Sequence, residues 1–127
     1  MQNGKKDSVA KLLSPILRKL NGKSSDMESS AVISRDGLSV AAELEGGVDP
    51  DRLGAMCAAL LGLADTTAKE LERGDLEQVL LLGGSGVLVL VHIGSSHVLA
   101  VAAKTGINLG MVLLEAKKTA QLIKTML

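Results

Sequence analysis

Three apolar runs in the second half of the chain limit its folds more than any other feature. Each has the length of a β-strand, and only Gly/Ser turns of three or four residues separate them. Connections this short leave no room for a crossover, so the strands are expected to be antiparallel neighbours. The middle run is apolar at nearly every position, so it should be covered on both faces by helices from elsewhere in the chain. The runs are residues 77–82, 87–93 and 97–103.

The chain begins with an amphipathic pattern. Apolar residues recur at helical spacing between Asp7 and Leu20, which predicts a first helix there. Pro15 lies inside this pattern, so either Ser14 caps a fresh helix start or Pro15 kinks one helix. Residues 21–30 are polar and are expected to form a loop.

A β-hairpin is predicted next. Residues 31–34 form a short strand, Asp36 and Gly37 form the turn, and residues 38–44 form the returning strand. The returning strand alternates apolar and polar side chains, which indicates a position toward the edge of a sheet with one lightly covered face.

The second helix has clear start and stop signals. Asp49 is a suitable N-cap, Pro50 fits the first helical position, the apolar pattern runs to Leu71, and Gly74 follows the end. One face of this helix is apolar and is expected to pack on the sheet. That face consists of Leu53, Met56, Leu60, Leu63, Ala64, Thr67 and Leu71.

The same helix carries a row of small residues. Gly54, Ala58 and Gly62 recur every fourth position beside Leu61, although Gly inside a helix costs about 1 kcal/mol relative to Ala. Another backbone is therefore expected to approach this row. It belongs either to a neighbouring element of the same chain or to a second copy of the helix, and the second copy is favoured. The predicted dimer interface consists of Gly54, Ala58, Leu61, Gly62, Val79 and Leu81.

A last helix completes the order. Asn108 is a suitable N-cap, and apolar residues then follow at helical spacing as far as Leu127. The element order is helix, two strands, helix, three strands, helix, which predicts one α+β domain over residues 1–127. Residues 1–7 are polar and are expected to form a frayed tail.

Composition and charge narrow the classes of function. The chain has no aromatic residue, so it lacks the platforms on which single-stranded nucleic acids stack, and its 14 basic and 14 acidic residues cancel. The charges are segregated, however. Residues 1–23 carry six basic residues and one acid, residues 24–78 carry four and twelve, and residues 79–127 carry four and one. The simplest interpretation is a solvated surface with partly complementary faces.

Residue types that could carry chemistry are few. Cys57 sits in a helical pattern, which is typical of a small buried side chain. His92 and His97 flank a turn, but two ligands are too few for a structural zinc site. The Gly-rich residues 83–86 join two strands and precede no helix, so they do not predict a phosphate cradle. We expect a non-enzyme without cofactor or metal. With no signal peptide or membrane span visible, it is expected to be cytoplasmic.

Three segments in order resemble the Roadblock/dynein light chain family, including its bacterial and archaeal members of the MglB type. Residues 31–38 are similar to the family's first hairpin with its Asp-Gly turn. Residues 53–64 look like its Ala-rich central helix. Residues 108–114 are similar to the Asn-Leu-Gly start of its last helix. The similarity runs from about Leu12 to the C-terminus.

The resemblance implies a profilin- and longin-like sandwich. Its five-stranded antiparallel sheet has the order 2-1-5-4-3, with the first and last helices on one face and the central helix on the other. Family members form dimers by pairing their central helices and third strands. The two basic helices would then share one face, and the acidic helix would lie on the other.

The resemblance also implies a function, because these Roadblock proteins are associated with small Ras-like GTPases. The leading hypothesis is a homodimer that binds and regulates such a GTPase; the alternative is a scaffold subunit of a dynein-like or membrane-tethering complex. A binder of membrane surfaces or nucleic acids through the basic face is a third class, although neither nucleic-acid binding nor direct membrane insertion is expected. The predicted partner-binding residues, exposed on the central helix and just past its end, are Arg52, Asp65, Lys69, Glu70 and Arg73.

Overall fold

The chain folds in the element order that its sequence predicts. The computed structural model describes residues 2–127, with side chains from Ser8 onward. The predicted frayed tail, residues 1–7, lies outside the residues whose side chains are described. The elements are α1 (Gln2–Asn21), β1 (Met27–Ser34), β2 (Ser39–Glu43), α2 (Pro50–Glu70), β3 (Gln78–Gly83), β4 (Gly86–Ile93), β5 (His97–Lys104) and α3 (Leu109–Lys124).

The five strands form one antiparallel sheet in the order β2-β1-β5-β4-β3, as predicted. The three apolar runs are neighbours, with Leu81 opposite Leu88 and Val89 opposite Val101. Gly83 pairs with Gly86 across a two-residue turn, so the Gly-rich segment is a hairpin. The strand order leaves β3 and β2 as the two edges of the sheet.

Each face of the sheet has its own hydrophobic core, because successive side chains of a strand point to opposite faces. Leu13 and Leu17 of α1 and Val112 of α3 pack with Val89 and Leu99 on one face. On the other face, Cys57 and Leu61 of α2 pack with Leu90, Val98 and Ala100. Strand β4, the middle strand of the meander, therefore contributes to both cores, as its apolar sequence predicts.

The segment before β1 differs from its prediction. β1 begins at Met27, so the second part of the predicted loop, residues 27–30, belongs to the strand. Met27 and Ser30 are buried, and the Ser30 hydroxyl donates to the carbonyl oxygen of Leu17 at 3.4 Å. The stretch forms a strand because its backbone pairs with β5, and the partner on α1 satisfies the buried serine hydroxyl.

Pro15 lies inside one continuous α1 rather than at a fresh start. Leu13 and Leu17 on either side of it are fully buried, together with Leu20. Packing of this apolar face on the sheet offsets the hydrogen bond that a proline inside a helix removes.

Helix α2 begins as predicted but is rotated about its axis by roughly a quarter turn from the expected orientation. Asp49 caps it, with Oδ1 accepting from the backbone N–H of Asp51 at 3.0 Å. The residues buried against the sheet are Gly54, Cys57 and Leu61. The predicted apolar face instead lies along one side of the helix, where Met56, Leu63 and Leu71 are exposed.

Candidate functional site

The row of small residues on α2 faces this chain's own β1–β2 hairpin. A Cβ atom on Gly54 would lie 2.5 Å from the carbonyl oxygen of Gly37, and one on Gly37 would lie 3.6 Å from the Cβ of Ala58. Gly37 has a φ of 93°, as the Asp-Gly turn requires. The close backbone approach that the sequence predicts is real, but the approaching backbone belongs to the same chain.

This arrangement corrects part of the predicted dimer interface. Gly54 and Leu61 are buried within a single chain, so neither has surface left to offer a partner. Ala58 is half-buried beside the hairpin, and only Gly62 of the row is exposed, with nothing near its Cβ position.

An exposed apolar surface lies on the other side of α2, toward β3. It consists of Met56, Leu60 and Leu63 on α2 together with Val79 and Leu81 on β3, and we call it the α2–β3 surface. Met56 is 53% exposed, Leu63 68% and Leu81 47%. Leu60 and Val79 are half-buried against the α2-side core and anchor the surface to it.

Two features of the fold leave this surface uncovered. Helix α2 packs chiefly on β1 and β2, so it stands off the β3 side of the sheet. β3 is an edge strand, with one row of backbone N–H and C=O groups unpaired within the chain. Val79 and Leu81 share the α2 side with their cross-strand partners Leu90 and Leu88. The result is an apolar strand edge next to an apolar helix side.

A small cavity of about 100 Å³ opens on the same face of the sheet. It lies between Leu53 near the start of α2 and the strand residues Leu88 and Ala100, and Ser29 is its one polar lining residue. Its size and apolar lining suit an aliphatic side chain better than a polar ligand.

The charged residues predicted to bind a partner do not form one cluster. Arg52 lies in the first turn of α2 and Arg73 just past its end, about 30 Å apart along a helix of this length. Asp65 is engaged within the chain, because its Oδ2 lies 3.6 Å from Nη2 of Arg35. Arg35 also donates from Nη1 to the carbonyl oxygen of Ser95 at 3.1 Å.

The end of α2 has a defined geometry that the sequence does not reveal. Glu72 adopts a φ of 55° in the left-handed region, two residues before Gly74 with its φ of 84°. The N–H of Arg73 donates to the carbonyl oxygen of Ala68 at 2.8 Å, which closes the last turn. Arg73 therefore leaves the helix from a fixed backbone, whereas Lys69 and Glu70 lie exposed on the last turn itself.

Comparison with known proteins identifies the family. The model of the Roadblock/LC7 domain matches residues 16–103. The chain belongs to the Roadblock/LC7 family. It is 36% identical over 115 residues to Uncharacterized protein MJ1340 of Methanocaldococcus jannaschii, covering 91% of this chain and 99% of that relative.

Solved Roadblock structures share the fold. A Roadblock/LC7 domain from Streptomyces avermitilis superposes with a TM-score of 0.83 at 21% identity, covering 89% of this chain and 95% of that one. MglB of Myxococcus xanthus superposes with a TM-score of 0.82 at 17% identity, covering 90% and 86%. The Roadblock sandwich expected from the resemblance, with α1 and α3 on one face and α2 on the other, is therefore confirmed.

The two histidines of this Roadblock domain cannot share a ligand. His97 lies opposite Ile93, and His92 lies opposite Val98. Ile93 belongs to the core beneath α1 and α3, and Val98 belongs to the core beneath α2. The histidines thus project from opposite faces of the sheet. Nowhere in the part of the chain with described side chains do three or more His, Cys, Asp or Glu side chains gather as a metal site would require.

Two titratable groups are perturbed by their surroundings. Burial in the α2-side core raises the pKa of the Cys57 thiol, which keeps it protonated and unreactive. Partial burial lowers the pKa of His97, and the negative charge of Asp36 opposes that shift.

None of the described helices combines the length and the apolar character that a membrane span requires.

Proposed function

We propose that this Roadblock domain is a non-enzymatic, homodimeric interaction module that binds and regulates a small Ras-like GTPase. The observation that carries the proposal is the exposed α2–β3 surface, with its apolar helix side beside an unpaired strand edge. A soluble monomer rarely leaves a long apolar strand edge open, because such an edge pairs readily with another chain.

A second copy is the occupant that fits this surface. Two β3 edges can pair in antiparallel fashion through their free backbone groups, which brings Leu81 and Leu63 of both copies into one apolar contact. Of the six interface residues predicted from the sequence, Val79 and Leu81 keep that role, whereas Gly62 lies on the side of α2 that carries the small-residue row. Met56, Leu60 and Leu63 replace Gly54, Ala58 and Leu61.

The GTPase is proposed to dock on the outer side of the paired α2 helices. Arg52, Lys69, Glu70 and Arg73 are exposed there and form a mixed-charge rim along the helix. Asp65 contributes less, because Arg35 already holds it. The family resemblance motivates the class of partner, and the exposed side of α2 supports the location.

Two mechanisms are open to such a platform. Arg52 or Arg73 could reach the nucleotide as an arginine finger, which stabilises charge developing on the phosphates. Alternatively, the dimer favours one conformation of the GTPase switch loops and shifts its population without entering the active site. The separation of about 30 Å along α2 means that the two arginines of one chain cannot act on one nucleotide together.

Single-turnover hydrolysis by the co-purifying GTPase separates these mechanisms. It is measured with the unmodified protein, with Arg52→Ala and with Arg73→Ala, and binding is measured in parallel. If one arginine acts as a finger, its alanine variant should lose most of the stimulation of GTP hydrolysis while it still binds the GTPase. The population shift predicts that stimulation follows binding in every variant. Binding without any change in hydrolysis supports the scaffold alternative, and no binding in either nucleotide state contradicts the proposed function.

A further inference from the structure

The fold places the basic segments of the chain on one side of the sheet. Among the residues with described side chains, Ser8–Lys23 and α3 together carry seven Lys or Arg and a single Glu. The segment of residues 49–77, which includes α2 on the opposite face, carries seven acids and three bases. The seven basic residues are Lys11, Arg18, Lys19, Lys23, Lys117, Lys118 and Lys124.

Acidic side chains among the described residues neutralise less than half of this positive charge. Glu115 is the single Glu among Ser8–Lys23 and α3, and its carboxylate oxygens lie 4.0 Å from Nζ of Lys23 and of Lys118. Arg18 pairs with Glu43 of β2 at 2.7 Å. No ion pair in the described part of the chain involves the other four bases, which are Lys11, Lys19, Lys117 and Lys124.

Exposed leucines lie among these lysines. Leu12 of α1 and Leu114 and Leu122 of α3 are each about half exposed. Lys23, just past the end of α1, contacts Glu115 in the first half of α3. Lys124 at the end of α3 lies beside Gly94, at the opposite end of the sheet from Met27, so the two helices run antiparallel. Leu12 and Leu122 therefore lie in the same half of the helical layer, flanked by Lys11 and Lys19.

We propose that the outer face of α1 and α3 docks on the surface of an anionic lipid bilayer. Unpaired lysines attract anionic headgroups, and leucines between them can enter the interfacial region without spanning the membrane. Nucleic acid fits less well, because the chain has no aromatic residue to stack on bases and exposed leucines gain nothing from phosphates. Docking in this orientation turns α2 and the acidic residues that flank it away from the membrane.

The proposal does not rest on GTPase binding, although a dimer would present two such faces. Its test is co-sedimentation of the purified full chain with vesicles of phosphatidylcholine alone and of phosphatidylcholine mixed with phosphatidylglycerol. Binding is expected only to the mixed vesicles, and it should weaken as salt rises from about 0.01 M to about 0.15 M, since the Debye length shortens. Each lysine near an anionic surface contributes roughly fivefold in affinity, so Lys11→Glu with Lys19→Glu should weaken binding by roughly 25-fold or more.

Matched variants keep the test interpretable. Lys69→Glu with Arg73→Glu changes the net charge equally on the α2 side and should leave vesicle binding unchanged. The double variant Lys11→Arg with Lys19→Arg should retain vesicle binding, because the charge is kept. The double variant Leu12→Ser with Leu122→Ser should weaken the vesicle binding that remains at about 0.15 M salt, because that binding depends on the leucines. Equal loss with both charge reversals would overturn the proposal, because it would indicate non-specific charge attraction. It would also be overturned by equal binding to both vesicle types, by no binding, or by tighter binding to an oligonucleotide or an acidic protein than to the mixed vesicles.

Discussion

Gly54 of α2 and Gly37 of the β1–β2 turn touch backbone to backbone. A Cβ atom at position 54 would lie 2.5 Å from the Gly37 carbonyl oxygen, closer than side-chain carbons come in real structures. Neither side of the contact can yield easily, because one is a helix backbone and the other a turn whose glycine has positive φ. This contact sets the rotation of α2 and so decides which of its side chains remain exposed.

Gly54→Ala should therefore destabilise the fold, although alanine is the better helix former. Overpacking of this kind costs about 1–3 kcal/mol of unfolding free energy. Alanine gains only about 1 kcal/mol over glycine in helix propensity, so the overpacking cost equals or exceeds that gain. Gly62→Ala, two turns along the same helix, is the matched control. It has nothing within 4 Å of the new Cβ and should gain about 1 kcal/mol. Urea unfolding of both variants measures the difference, and equal effects would contradict the Gly54–Gly37 contact.

The same contact explains what the sequence could and could not predict. The strand order of the meander, the Asp-Gly turn and the Asp49 cap follow from local signals, and the structure confirms them. The rotation of α2 depends on Gly54 meeting Gly37, two residues 17 positions apart. Periodicity alone places the bulky row Met56–Leu63 inward, whereas the small row fits closer to the hairpin. The sequence signal for this rotation is the pair formed by Gly54 inside the helix and Gly37 in the turn, because two glycines allow two backbones to approach closely.

Glu72→Gly should stabilise the protein. Glu72 has a φ of 55° at the end of α2, a conformation that is disfavoured for residues with a Cβ and free of that penalty for glycine. A gain of about 0.5–1 kcal/mol in unfolding free energy is expected. Thr66→Gly, inside the helix and exposed, is the control and should cost a similar amount. A loss of stability with Glu72→Gly would mean that the side chain has a stabilising role at this position.

His97 should make stability fall toward acid pH. Partial burial, opposed by Asp36, lowers its pKa below the ordinary value of 6.5, so the unfolded chain binds this proton more readily than the folded one. The contribution is present above pH 6.5 and is lost as the pH falls through the lower, folded pKa. His97→Gln should flatten this part of the pH dependence in urea unfolding.

Asp36→Asn provides an independent check on the same histidine. Removing the carboxylate takes away the charge that favours the protonated imidazole, so the pKa of His97 should fall further. An NMR titration of the His97 ring protons measures this shift. An upward shift in the variant would contradict the assignment of Asp36 as the opposing charge.

The central claim is that the α2–β3 surface is covered by a second copy. Leu63→Glu tests it well, because Leu63 is 68% exposed and a charge there should not disturb the single chain. Ala58→Glu is less suitable, since Ala58 lies against the β1–β2 turn and its substitution would also perturb the fold. Leu114→Glu, which introduces the same change on the α3 side, is the control.

Light scattering of the purified proteins at micromolar concentration measures this most directly. The unmodified protein and Leu114→Glu should both show twice the 13.1 kDa mass of the chain. Leu63→Glu should show the mass of one chain with unchanged helix and strand content, since a buried unpaired charge costs several kcal/mol of association. A monomeric unmodified protein, or a Leu63→Glu variant that remains a dimer, would contradict the account.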